Sequence, residues 1–337
     1  MTASPGSPPA TTAAVLATRA GGPEVLELRE IPVPVPGEGE LLVRVAAAGV
    51  NFIDTYRRSG VYRIDYPSVL GSEGAGVVVD AGPGTEGFAV GDRVAWSDAP
   101  GSYAGYVVVP AERALAVPAQ IDLEVAAALP LQGLTAHYLA TSTYPIRDGD
   151  QVLVHAGAGG VGLLLTQLAV ARGARVVTTV STEAKAELSR AAGAHHVINY
   201  RELTDLSAEL PPLVRAATEG GAHVVYDSVG KDTFDASLAS LRRRGMLVLC
   251  GGSSGQVPPF DIQRLNSSGS LYLTRPTLGD YTATRAELVE RADELFDAVL
   301  AGRLSVRVGA RFPLAEAAAA HAALEGRRTT GKVLLLP

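Results

Sequence analysis

The chain is short of cysteine, aromatics and charge. It holds a single cysteine, Cys250, among 337 residues. No disulfide can close within it, and no cysteine-based zinc site can be built. That usage suits the reducing cytoplasm, the expected location. Charged residues make up 19% and hydrophobic residues 47%, a globular rather than a disordered balance. Lys plus Arg number 29 against 35 Asp plus Glu, a formal net charge of −6. This balance disfavours nucleic acid or an anionic membrane as the main partner. Residues 1–12 are rich in Ser, Pro, Ala and Thr and carry no basic segment or long apolar core. They do not form a secretory signal and are expected to be a disordered tail. No G-x-S-x-G, no P-loop and no nucleophile paired with a base is expected. The six histidines include no set with the spacing of metal ligands, so no metal is expected.

One run does lack charge altogether. No Asp, Glu, Lys or Arg occurs between Asp150 and Arg172, a length that would satisfy a hydropathy filter for a membrane span. Gly157, Gly159, Gly160 and Gly162 argue against one continuous helix there. The run reads better as Val152-Leu153-Val154, a buried parallel strand, then a G-x-G-x-x-G turn at Gly157, Gly159 and Gly162, then an apolar helix ending near Gly173. Strand, glycine turn and helix are the frame that a dinucleotide fingerprint requires. In such a motif one glycine permits the tight turn, one admits a pyrophosphate against the backbone, and one lets helix pack on strand. The helix start offers free N–H groups and a positive dipole end to phosphate.

On either side the pattern differs. From Ala13 to about Pro130, short apolar runs alternate with Pro and Gly turns, which suggests a partly closed β-barrel. The runs are Leu41 to Val45, Gly76 to Val79, Arg93 to Trp96 and Tyr106 to Val109. From about Leu131, strands alternate with helices, the mark of a doubly wound parallel sheet. Its strands are read at Arg175 to Val180, His196 to Asn199, Val224 to Tyr226, Met246 to Leu249 and Leu271 to Leu273. Past Pro276 come a helix from Arg285 to Leu300, a strand-like Ser305 to Val308, a helix from Leu314 to Leu324 and a last strand from Lys332 to Leu336. Four segments follow from this pattern: a tail at 1–12, a β-rich domain at 13–130, a dinucleotide-binding domain at 131–275 and a return to the first domain at 276–337.

Cofactor choice can be argued from charge. Proteins that select NAD place an acid about 20 residues past the fingerprint, on the ribose hydroxyl. Here that region is Val177 to Ser181, without an acid. Lys185 lies one helical turn further on, where it can meet a 2′-phosphate, and Ser181 can donate to the same group. NADPH is therefore the expected cofactor. Hydride chemistry belongs to the cofactor, so the protein needs neutral hydrogen-bonders and aromatics around it. Asn51, Tyr56, Tyr62, Gln132 and Thr135 answer that description. His155 reads as a buried, hydrogen-bonded residue, while His137, His223 and His321 stand alone.

Several segments together carry a family resemblance. They are AAAGVNFIDTYRRSGVY (Ala46 to Tyr62), GSEGAGVV (Gly71 to Val78), LQGLTAHYL (Leu131 to Leu139), VLVHAGAGGVG (Val152 to Gly162), VINYR (Val197 to Arg201), VVYDSVG (Val224 to Gly230) and GSLYLTRPTL (Gly269 to Leu278). In these the chain resembles the zinc-independent, ζ-crystallin-like quinone oxidoreductases of the medium-chain dehydrogenase/reductase superfamily. The resemblance implies an α/β protein with a GroES-like partial β-barrel catalytic domain and a Rossmann domain, NADPH in the cleft between them, and a small quinone as substrate. It implies that Asn51, Tyr56 and Tyr62 line the nicotinamide and quinone end, and that Thr135 contacts the cofactor. Gly159, Gly160 and Val161 match the pyrophosphate turn, and Ser181, Lys185 and Tyr200 the group around the 2′-phosphate and adenine. The loop from Cys250 to Ser254, with Gly252 and Ser253, and Arg275 match segments near the nicotinamide. Family members are commonly dimers joined through the sheet edge, which makes Leu271 to Leu273 a candidate interface strand. Reduction of α,β-unsaturated carbonyls and a non-catalytic, NADPH-binding crystallin-like role stand as alternatives.

Overall fold

A computed structural model describes residues 8–337. It divides into two compact units, one reaching Gln132 and resuming over Thr284–Pro337, the other formed by Gly133–Ala283. Of the expected tail, residues 1–7 lie outside the described residues. Its end is already ordered: the first strand, β1 (Thr11–Ala17), begins at Thr11 and pairs along its length with β2 (Leu26–Pro32).

In the first unit, β1 and β2 are followed by β3 (Glu40–Val50), β4 (Ser68–Val69), β5 (Glu73–Ala81), β6 (Arg93–Trp96), β7 (Tyr106–Pro110) and β8 (Leu115–Ala116). Strand β3 is the central member. Its Leu41, Val43, Val45, Ala48 and Val50 join Val78, Val94, Trp96 and Val107 in one apolar core, the main source of stability for such a unit. Strand β3 runs straight into Asn51 and the helix Phe52–Ser59. That helix is closed at its start by a capping box between Asn51 and Asp54 and at its end by Gly60, with φ at 82°.

The second unit holds β9 (Gln151–Val154), β10 (Arg175–Val180), β11 (His196–Asn199), β12 (Ala222–Asp227), β13 (Leu241–Leu249) and β14 (Tyr272–Thr274). They form one sheet, every adjacent pair parallel, in the order β11-β10-β9-β12-β13-β14. Strand order reverses between β9 and β12, and a ligand crevice of an open parallel sheet lies at the carboxyl ends beside that reversal. The unit continues to Ala283 rather than ending at 275. The Tyr281 ring stacks on Tyr138 at 4.3 Å and 8°, which holds that stretch to this unit.

The chain returns to the first unit through the helix Arg285–Leu300, capped by Thr284 and Glu287. Strands β15 (Val308–Pro313) and β16 (Lys332–Leu336) then extend the sheet of β3. The strand expected at Ser305 to Val308 lies later in the chain. Its position is set by its partner, because parallel pairing begins with Val308 opposite Lys332. Among the described residues no helix is long and apolar enough to cross a membrane.

Candidate active site

The glycine turn after β9 sits at the strand-order reversal. Directly after β9, His155 N–H donates to the Tyr226 carbonyl at 3.1 Å, and Gly157 N–H to the Thr179 carbonyl at 3.0 Å. The tight bend is made by Ala156, with φ at 53°, not by a fingerprint glycine. The glycines provide room instead. A Cβ on Gly157 would stand 2.5 Å from Thr178 Cβ, and one on Gly162 would stand 2.3 Å from the Ala156 carbonyl oxygen. Gly157 lets the turn lie against β10, and Gly162 lets the helix lie against the turn. The helix Gly160–Val170 starts at Gly159 with no side chain capping it. No side chain of the cap residue satisfies its first N–H groups, and an uncapped helix start is the arrangement that receives an anion. A dinucleotide pyrophosphate fits there.

At the next strand end, Val180 pairs with Asn199, so Ser181 and Tyr200, each one residue past its strand, both stand at the carboxyl edge. Thr182 caps the helix Glu183–Ala191 by accepting from Lys185 N–H at 3.3 Å. Lys185 therefore belongs to the first turn beside Ser181. The nearby acid Glu183 is turned along its own helix, where it pairs with Arg190 at 2.6 Å.

The third group surrounds the ends of β12 and β13. Ser253 N–H donates to the Ser228 carbonyl at 3.3 Å and Ser254 N–H to the Val229 carbonyl at 2.9 Å. Gly252 is closed in beside Gly230. Arg275, just past β14, donates to the carbonyls of Leu249 and Gly251 at 3.4 and 3.3 Å. Contrary to the expectation that the chain has no G-x-S-x-G, Gly251 to Gly255 spells one. No helix follows Ser253 directly, the next being Gln263–Ser267, so the strand–turn–helix frame of a hydrolase elbow is lacking. Thr135 stands half-buried in the helix Pro130–Tyr138.

In the first unit, Tyr56 and Tyr62 meet edge to face at 5.5 Å. Tyr62 is 40% exposed, leaving an aromatic surface for a flat ligand. Asn51, expected at the nicotinamide and quinone end, is bonded within the protein. Its amide nitrogen donates to Glu73 at 2.7 Å, and its amide oxygen accepts from Lys332 at 2.8 Å. Both ends of the amide are thus bonded within the protein, which anchors the helix start.

Asn51 belongs to a buried network that the sequence reading missed. Glu73 also pairs with Lys332 and accepts from Leu131 N–H at 2.8 Å. Asp54 accepts from Asn51 N–H at 2.9 Å and from the Tyr103 hydroxyl at 3.0 Å. Since that hydroxyl proton goes to Asp54, Tyr103 oxygen accepts from His321 Nε2–H at 3.2 Å, and His321 Nδ1 accepts from Arg58 at 3.1 Å. His321 thus does not stand alone. Burial pushes the Asp54 carboxyl up to about 6, against the pull of its donors Asn51 and Tyr103. Burial, with the Arg58 charge second, brings His321 down to about 3. One signal was available in the sequence: Lys332 heads an apolar strand and Glu73 sits among glycines and small residues, places where charge is costly unless paired.

The chain matches two family descriptions, "Alcohol dehydrogenase GroES-like domain" over residues 37–119 and "Zinc-binding dehydrogenase" over residues 160–294. A quinone oxidoreductase of Pseudomonas aeruginosa is 47% identical over 320 residues, 94% of this chain and 97% of the relative. The solved structure of a mycobacterial protein complexed with NADPH superposes with a TM-score of 0.93 at 53% identity, covering 97% of this chain and 100% of that one. The Escherichia coli quinone oxidoreductase complexed with NADPH gives a TM-score of 0.93 at 44% identity, covering 96% and 100%. The residues do not fit the zinc that one description names. Among the described residues no three His, Cys, Asp or Glu side chains form a metal-holding group, and the Glu73 carboxylate is already taken by Lys332 and Asn51.

Proposed function

The chain belongs to the quinone oxidoreductases of the medium-chain dehydrogenase/reductase superfamily, and from that premise we propose that it reduces quinones with NADPH. When bound, NADPH supplies the reducing equivalents from its nicotinamide. The protein's part is to hold and orient. The uncapped helix start at Gly159, Gly160 and Val161, with space kept by Gly157 and Gly162, receives the pyrophosphate. Ser181, Lys185 and Tyr200 hold the 2′-phosphate and adenine. Thr135, Gly252, Ser253 and Arg275 shape the nicotinamide end. Tyr56 and Tyr62 offer the quinone a face to stack on, and Asn51 keeps their helix in place.

The observation that carries this reading is the phosphate turn at the strand-order reversal. Beside it a serine and a lysine stand where an NAD-selecting protein has an acid. The test is to mix the pure protein with NADPH and 1,4-benzoquinone or 9,10-phenanthrenequinone and follow NADPH absorbance. Oxidation that depends on quinone is expected, and no turnover across several quinones sinks the assignment. Faster turnover of enones would move the activity to α,β-unsaturated carbonyls, and NADPH binding without turnover would favour the crystallin-like role. The single cysteine suits a cytoplasmic protein. Strand β14 ends its sheet with Tyr272 59% exposed, and we propose this edge for a homodimer, which sedimentation velocity checks.

A further inference from the structure

We propose that Thr179, His155, Ser237 and Asp227 form a buried hydrogen-bond relay that holds three cofactor-facing loops in register. The proposal rests on the NADPH reading above and assigns these four residues a positioning role in it. His155 Nδ1 meets Thr179 Oγ1 at 2.9 Å, and Nε2 meets Ser237 Oγ at 2.9 Å. Ser237 in turn donates to Asp227 Oδ2 at 2.6 Å. The four side chains lie between 0% and 2% exposed, so each polar atom depends on the next.

The direction of the relay is fixed by counting protons. The one hydroxyl proton of Ser237 goes to the carboxylate, so Nε2 of His155 must be its donor. Nδ1 is then an acceptor, and Thr179 supplies the proton. Every donor points toward Asp227. The imidazole must be neutral for this, and burial, partly opposed by Asp227, holds His155 below its ordinary value.

Each end is tied to a loop that the NADPH reading assigns to the cofactor. Asp227 Oδ1 accepts from Val229 and Gly230 N–H at 2.9 Å each, and Thr233 Oγ1 reaches both carboxylate oxygens at 2.8 Å. This sets the 228–230 turn, against which the Ser253–Ser254 backbone is bonded. A Cβ on Gly230 would stand 2.9 Å from the Gly255 carbonyl oxygen, so the two loops pack backbone against backbone, and Lys231 N–H donates to the same carbonyl at 3.3 Å. At the other end, the carbonyl of Thr179 accepts from Gly157 in the phosphate turn, and Ser181 follows two residues later. His155 joins the two ends from the residue after β9. The loops assigned to the nicotinamide end, the pyrophosphate and the adenosine end are thereby linked by a path of buried side chains.

The test measures dissociation constants for NADPH and for 2′,5′-ADP, which lacks the nicotinamide, together with kcat on 1,4-benzoquinone. Ser237→Ala is expected to weaken NADPH about tenfold and lower kcat by a similar factor, while 2′,5′-ADP stays within about twofold. Thr179→Val, of similar shape but without the hydroxyl, is expected to weaken both ligands. Thr179→Ser restores the hydroxyl and should restore binding, a rescue that a packing role alone does not produce. The relay is overturned if both hydroxyl-deleting variants bind NADPH and turn over within about twofold of wild type. It is also overturned if Ser237→Ala weakens 2′,5′-ADP as much as NADPH. Wild-type protein that binds no NADPH overturns the functional reading and the relay together, which separates that failure from loss confined to the variants.

Discussion

Lys332 Nζ donates to Asn51 Oδ1 at 2.8 Å across 281 positions of sequence. The same ammonium pairs with Glu73, the two side chains being 1% and 0% exposed. The last strand is thus fastened to the start of the helix that carries Tyr56. Gly49 makes the room, since a Cβ there would lie 2.3 Å from Glu73 Oε2 and 2.6 Å from Lys332 Cε. Removing one charge strands the other in the interior, which costs about 3–5 kcal/mol. Lys332→Met should lower stability by that order, and adding Glu73→Gln should recover a large part of it. Urea unfolding of the two variants checks this. A double variant as unstable as the single one would show that packing, not the unpaired carboxylate, carries the loss.

The network of Asp54 and His321 has opposed pH dependences. Asp54 rises from 3.8 to about 6 in the folded state. The folded chain holds this proton longer than the unfolded one, so stability falls as pH rises between those values, by about 3 kcal/mol in total. His321 falls from 6.5 to about 3. There the unfolded chain binds the proton first, so stability is gained as pH rises from about 3 to 6.5. Between about 4 and 6 the two slopes offset each other, each reaching at most about 1.4 kcal/mol per pH unit. Relative to wild type, His321→Gln should therefore lose stability as pH rises through this window, and Asp54→Asn should gain it. Unfolding midpoints at pH 4, 5 and 6 read both signs. Slopes of the same sign would break the assignment.

The parallel sheet was legible because its strands are apolar runs with glycine and helix punctuation; Arg175 to Val180 and His196 to Asn199 fall where the pattern puts them. The helix Leu206–Ala217 was hidden by Pro211-Pro212, which reads as a breaker, while the Asp205 cap that starts it is short-range and easily overlooked. The β15 register could not be read from Ser305 to Pro313 alone, since its partner β16 decides it. The same holds for the candidate site. Residues of the glycine turn are contiguous and visible, whereas Asn51, Glu73 and Lys332, or His155, Ser237 and Asp227, are joined only by folding.

The fingerprint glycines should separate by experiment. Gly162→Ala places a Cβ 2.3 Å from the Ala156 carbonyl oxygen and 3.0 Å from Gly157 Cα. Both neighbours are backbone and cannot swing away, so a loss of more than about 2 kcal/mol is expected. Gly159→Ala meets the Ala156 oxygen only at 3.2 Å, and its stability should stay within about 1 kcal/mol of wild type. Its NADPH affinity should nonetheless fall, because the added methyl group stands where the pyrophosphate approaches the helix start. Melting temperature and NADPH titration on the same preparations distinguish the two effects. A Gly159→Ala protein with wild-type affinity would remove the turn from the binding site.

Nucleotide selectivity should rest on Lys185. The stretch Val177 to Ser181 brings no acid to the ribose, and Glu183 is engaged by Arg190 at 2.6 Å. Lys185 is held in the first helical turn by the Thr182 cap, which directly follows the buried Ser181 in the chain. A 2′-phosphate at this strand end would gain a charge-assisted bond that a 2′-hydroxyl cannot match. Lys185→Ala keeps the helix, since alanine is the best helix former. It should weaken NADPH by about 1–3 kcal/mol, or roughly 5- to 150-fold, and leave NADH within about twofold. Parallel fluorescence titrations with the two nucleotides read this directly. Equal weakening of both would place Lys185 away from the phosphate and return the selectivity to Ser181 and Tyr200.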